Sequence, residues 1–179
     1  MAVAVASILL LFAFPLWRIT LEAPQFPEGL HMYIWINKIS GSSEHILQNI
    51  NILNHYIGMQ PVEPDSIPEL QYFPYIVIGM GVLGIGAVIA NRWYYYLGWF
   101  LLLVVLGGLG IYDFYLWLYD YGHNLDPQAP IKVPGMTYQP PLLGRKELLN
   151  FVAYSYPATG GYLLLLSGIL SFLAFWSKK

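Results

Sequence analysis

Four apolar runs, at 2–17, 74–90, 94–118 and 160–176, constrain this chain more than any other feature of it. Each approaches the roughly 20 residues an α-helix needs to cross the hydrocarbon layer of a bilayer. With 57% hydrophobic and only 10% charged residues among 179, the chain falls in the integral-membrane class. The expected fold is an all-α membrane protein: a single membrane domain, 1–179, of four transmembrane helices, with two ordered external segments at 18–73 and 119–159. The first run lacks a basic start, and Phe14-Pro15-Leu16-Trp17 closes it where a secretory leader would carry small residues, so it reads as an uncleaved first span.

Positive charge sets the expected orientation. Arg92 lies in the tight turn between spans two and three and Lys178-Lys179 close the sequence, so the positive-inside rule puts both ends of the chain on the cytoplasmic side. The two other segments are then external. Aromatic clusters at Trp93-Tyr94-Tyr95-Tyr96 and at Tyr72-Phe73 mark the two interfaces, whereas Arg145-Lys146 is the one basic pair that argues the other way.

Within the first external segment, 21–30 holds two prolines and a glycine and favours an extended, turning path. Residues 31–36 alternate imperfectly, as a short strand or an interfacial stretch would. Gly41-Ser42-Ser43-Glu44 supplies a helix N-cap and a first-turn acid, and Ile46, Leu47, Ile50, Leu53 and Ile57 form one apolar face, so an amphipathic helix is expected through about Met59. Pro61, Pro64 and Pro68 then make a stiff link to span two. Glycine is concentrated in spans two and three, at Gly79, Gly81, Gly84, Gly86, Gly107, Gly108 and Gly110, where small residues permit close helix packing or a helix–helix partner. The first of these runs lacks the Lys-Ser/Thr of a phosphate loop.

The chemistry-bearing side chains are gathered in the external segments: all four histidines, His31, His45, His55 and His123, and nine of the ten carboxylates. The absence of cysteine excludes disulfides, zinc thiolates, cysteine-ligated iron–sulfur clusters and c-type haem attachment. His55-x-x-x-Met59 places an imidazole and a thioether one helical turn apart, a pair that suits copper, Cu(I) in particular. Asn51 sits one turn earlier; the same spacing is equally that of a histidine hydrogen-bonded to polar neighbours and a methionine packed at a helix end. Asp113, Trp117 and Asp120 share a helical face that leads to His123, which fits a ligand pair, a carboxylate that orients His123, a proton path, or ordinary interfacial hydrogen bonding. Met136, in the Pro134-Gly135-Met136 turn, is a further candidate soft ligand or a packed surface methionine. His31 and His45 read most simply as exposed or capping residues. No hydrolase triad, H-E-x-x-H motif or basic nucleic-acid patch is present.

Four blocks, LWRITLEAPQFPEGL at 16–30, NINILNHYIGM at 49–59, YDYGHNLD at 119–126 and KVPGMTYQPP at 132–141, give the chain a resemblance to a family of small bacterial membrane proteins. That family is associated with gene clusters for nitrous oxide reductase and its copper-delivery lipoprotein, especially in Bacteroidetes-like bacteria, which implies a bacterial inner membrane with the external segments in the periplasm. The resemblance implies a part in denitrification, as an accessory in maturation of, copper supply to, or electron delivery to a periplasmic copper enzyme, and it brings no established catalytic residues. The expectation is therefore a non-enzymatic membrane protein that binds copper at its periplasmic face through His55, Met59, His123 and Met136, with Asp120 orienting His123. Its partners would be membrane lipid and a periplasmic copper enzyme or copper chaperone, not nucleic acid. The alternatives are a quinol- or haem-b-binding electron-transfer subunit and a structural adaptor without metal.

Overall fold

The computed structural model describes residues 1–131, 135 and 137–179. Their order is α1 (Ala2–Leu9) with a 3-10 turn at Leu10–Phe12, β1 (Trp17–Ala23), β2 (Phe26–Ile34), β3 (Ile39–Gly41), α2 (Ile46–Ile57), a 3-10 turn at Pro64–Ser66, α3 (Glu69–Ala90), α4 (Trp93–His123), β4 (Gly144–Leu148), β5 (Phe151–Pro157) and α5 (Thr159–Trp176). The fold is thus mixed α/β, and the all-α expectation is wrong. A five-stranded antiparallel sheet, in the order β3-β2-β1-β5-β4, joins the segment before α3 to the segment after α4.

Three of the four apolar runs form long helices. Among the described residues α3, α4 and α5 are long and apolar enough to cross a membrane. The first run is not: its helix ends at Phe12 after about 18 Å of rise, against the roughly 30 Å of a bilayer core. Pro15 disfavours helix at Phe14, and the chain goes on extended into β1 at Trp17, inside what read as one span. α1 still packs in the bundle, where Ala4, Val5, Ile8 and Leu11 share a core with Val77, Met80, Trp99 and Leu103. The Ser167 hydroxyl of α5 donates to the Ala4 carbonyl at 2.7 Å.

The extended link after α1 is held by the start of α5. Gly160 N–H donates to Pro15 O at 2.8 Å and Ala158 N–H to Leu16 O at 3.0 Å. A Cβ on Gly160 would stand 2.7 Å from Pro15 O and one on Gly161 would stand 2.6 Å from Leu16 O, so the Gly160-Gly161 pair is what lets the two backbones meet.

At about 46 Å, α4 exceeds a bilayer core, and its last turns enter the sheet module. One sheet face, with Ile19, Leu21, Leu30, Met32, Phe151 and Ala153, packs with Ile46, Ile50 and Ile57 of α2 and Leu118 and Tyr121 of α4. α2 begins at Ile46, later than expected, and neither serine caps it. Ser42 N–H instead donates to His31 O, continuing the β3 pairing, and Ser43 O accepts from Ile46 N–H. The β2–β3 connection links module and bundle: its Ile36, 1% exposed, lies in the bundle core.

Candidate functional site

Two clefts lie where α2, the proline link and the end of α4 converge. The first, about 400 Å³, is lined by Asn51, His55, Gly58, Met59, Gln60, Pro61 and the 124–127 loop. Its floor comes from how α2 ends. Gly58, at φ 79°, takes the left-handed conformation that terminates a helix, and Met59 N–H returns to Asn54 O at 2.9 Å. That turn leaves His55 exposed and carries Met59 into the core of the module, where it is 8% exposed.

Polar side chains fix the walls. Val62 N–H donates to Asn51 Oδ1 at 2.7 Å, and Asn51 Nδ2 donates to Val62 O at 3.3 Å. Asn54 Nδ2 donates to Gln60 O, and the Tyr121 hydroxyl donates to Pro61 O at 2.7 Å. Asn54, Tyr121 and Asn51 therefore hold the 60–62 backbone between them. On the opposite side Asp126 N–H donates to Gly58 O at 2.8 Å and Ile131 N–H to Tyr56 O at 2.9 Å, tying the chain beyond α4 to the end of α2. Asp126 Oδ1 accepts from Gln128 N–H, a local turn that holds this carboxylate at the cleft.

The second cleft, about 480 Å³, adjoins the first through Gln60, Pro61 and Asn124 and carries Glu63, Glu69 and Asp120 beside Trp117 and Tyr121. Asp113 is half-buried on α4, within electrostatic reach of Glu69 and Tyr72 at the start of α3.

The residues singled out from the sequence are thus distributed. His55 and Met59 share one cleft, and Asp120 lines the neighbouring one. His123 is exposed; its ring stacks on Tyr119 at 3.9 Å, and its Nδ1 donates to Tyr119 O at 2.9 Å, which leaves Nε2 as the nitrogen able to bind a metal. It lines neither cleft. Met136 lies outside the described residues. Among the described residues no three His, Asp or Glu side chains form a metal-binding group. His31 bonds Thr20 Oγ1 through Nδ1 at 2.9 Å, and His45 is exposed at the N-cap of α2 without capping it.

Sequence reasoning passed over Asn124, Asp126 and Gln60 as cleft residues. The Asp126-Pro127 step was a visible turn signal, but nothing local said that it folds against α2. No protein-family model, curated protein or solved structure matches the chain.

Proposed function

We propose that this is a membrane-anchored accessory protein that receives and hands on copper at the cleft between α2 and the loop after α4. The observation that supports it is the cleft itself, whose lining includes both His55 and Met59. Imidazole with thioether suits Cu(I), and ligand exchange at such a pair requires no thiol deprotonation. Copper is here a cargo, and the bonds that tie 60–62 and 126 to the cleft keep its walls in place when the cargo leaves. Arg92 and Lys178-Lys179 lie at the bundle end away from the sheet, since Trp93 packs on Phe175, and the positive-inside rule then turns the cleft toward the periplasm, the side of a copper enzyme or copper chaperone.

Anaerobic titration of the detergent-purified protein with Cu(I) against a chromogenic chelator tests this. One equivalent is expected to bind; His55→Ala removes binding, and Met59→Leu weakens it by about tenfold while keeping the core volume. His123→Ala reports separately whether the exposed ring at the end of α4 joins the site. The absence of binding in the parent protein would overturn the copper reading. It would favour the adaptor reading.

A further inference from the structure

The sheet face turned away from α2 is polarised along its length. Strand alternation puts Ile19 and Leu21 in the core and Arg18, Thr20 and Glu22 on this other face. Arg18 stands directly opposite Tyr33 on β2 and Tyr156 on β5, and Tyr33 stands opposite Ser40 on β3, giving one cross-sheet row with a cation between two phenols. Below the end of that row Trp35 Nε1 donates to Ser40 Oγ at 2.9 Å, and Lys38 Nζ lies 4.7 Å over the Trp35 ring. Arg18 and Lys38 are both exposed.

This row is at the rim of the helical bundle. Trp17, one residue before Arg18, pairs with Ile34 and Pro157, and the next residues leave the sheet for the bundle. Leu16 N–H donates to Ile34 O, α5 begins at Thr159, and Ile36, between Trp35 and Lys38, is buried in the bundle core. The row therefore stands about 3 Å, one strand residue, above the point where the strands give way to the bundle.

The other charges on the module make the placement specific. Arg145 pairs with Glu147 at 2.7 Å, and Lys146 donates to Gln139 O at 3.0 Å. Glu22 accepts from Tyr154, four strand residues or about 13 Å from the Arg18 row. Among the described bases of the module, Arg18 and Lys38 are the two with no carboxylate or carbonyl partner, and both are at the membrane end.

We propose that Arg18 and Lys38, framed by Trp35, Tyr33 and Tyr156, bind the phosphates of anionic lipid headgroups in the leaflet on which the sheet module sits. The aromatic rings occupy the depth at which Trp and Tyr favour the bilayer interface, and the cations supply the charge complement that an anionic headgroup requires. The inference rests on the membrane reading of α3, α4 and α5 and is independent of copper. A bound lipid would fix the module's height and tilt over the bundle and so set where its clefts are presented.

The test is lipid selectivity in nanodiscs, measured by electron spin resonance with spin-labelled phosphatidylglycerol against spin-labelled phosphatidylcholine. The parent protein should prefer phosphatidylglycerol; Arg18→Gln with Lys38→Gln should lower that preference by about fivefold per cation removed. Arg18→Lys with Lys38→Arg, which keeps both charges, should retain most of it, and excess inorganic phosphate should leave it unchanged. Equal affinity for the two lipids in the parent protein would overturn the proposal. An undiminished preference in the neutralised variant would do the same, as would displacement of the labelled lipid by free phosphate. Recovery of the parent protein in the soluble fraction, without detergent, would instead remove the membrane reading beneath it.

Discussion

At Gly122 the chain that returns from the loop after α4 crosses the helix, and Tyr138 N–H donates to the Gly122 carbonyl at 3.0 Å. A Cβ there would overlap the backbone of Gln139, so one of the two segments would have to shift. Gly122→Ala is expected to lower stability by about 1–3 kcal/mol, the usual cost of overpacking a rigid contact. Gly107 and Gly108 meet nothing within 4 Å, so alanine at either is expected to be neutral or to stabilise α4 by up to about 1 kcal/mol. Thermal unfolding of the three variants in detergent separates these outcomes; a loss at Gly107 or Gly108 as large as at Gly122 would mean that their open face is in fact covered. In the sequence the glycines of spans two and three look alike. Their roles divide only when the neighbours are known, as with Gly84, where a Cβ would stand 2.5 Å from a methyl of Val5.

Among the elements, the β2–β3 connection shows how module and bundle are made one body. It is short, and its exposed Asn37 and Lys38 have the look of an ordinary turn, yet Ile36 is 1% exposed among residues of α1, α3 and α4. Ile36→Ala is expected to destabilise by about 2–5 kcal/mol, as for a core isoleucine, because it opens a cavity between the two halves. The measurement is the shift in thermal midpoint together with protease sensitivity of β1 and β2; a shift near zero would mean that the module does not depend on this anchor. α2 illustrates the opposite case. Its apolar face was readable by spacing, and Ile46, Ile50 and Ile57 are indeed buried, but spacing within α2 did not say that the surface they cover is the sheet.

For the molecule as a whole, the proposed orientation rests on charge at the far end of the bundle. Single cysteines in place of Ser43 and Thr137, both exposed on the sheet module, are expected to react with an impermeant thiol reagent in intact spheroplasts. A cysteine at Asn91, in the exposed turn before α4, is expected to react only after lysis. The reverse pattern would turn the sheet module toward the cytoplasm. It would also remove the periplasmic setting of the proposed copper exchange while leaving lipid binding by Arg18 and Lys38 as a separate question.

The sequence by itself determined the membrane-scale features of α3, α4 and α5, because a span is a local property: enough consecutive apolar residues to cover a bilayer. It also determined the apolar face of α2, which follows from helical spacing, whereas Met59 reaches the cleft beside His55 only through the left-handed turn at Gly58 that ends the helix. Tertiary structure decided the sheet. Trp17–Ala23 and Phe151–Pro157 both alternate, yet each is a strand only because the other is present; the Trp17 indole donating to Ser155 Oγ at 2.7 Å joins residues 138 positions apart. The apolar run before Trp17 concealed the start of β1, and the shorter first helix reflects that merger. The positions of His123 and Asp120 relative to His55 were likewise beyond local pattern, since backbone bonds from Asp126 to Gly58 and from Ile131 to Tyr56 set how the chain leaving α4 meets α2. Hydrogen bonds within a helix are encoded by neighbours in sequence, whereas sheet pairing and cleft assembly are settled by which distant surfaces become buried together.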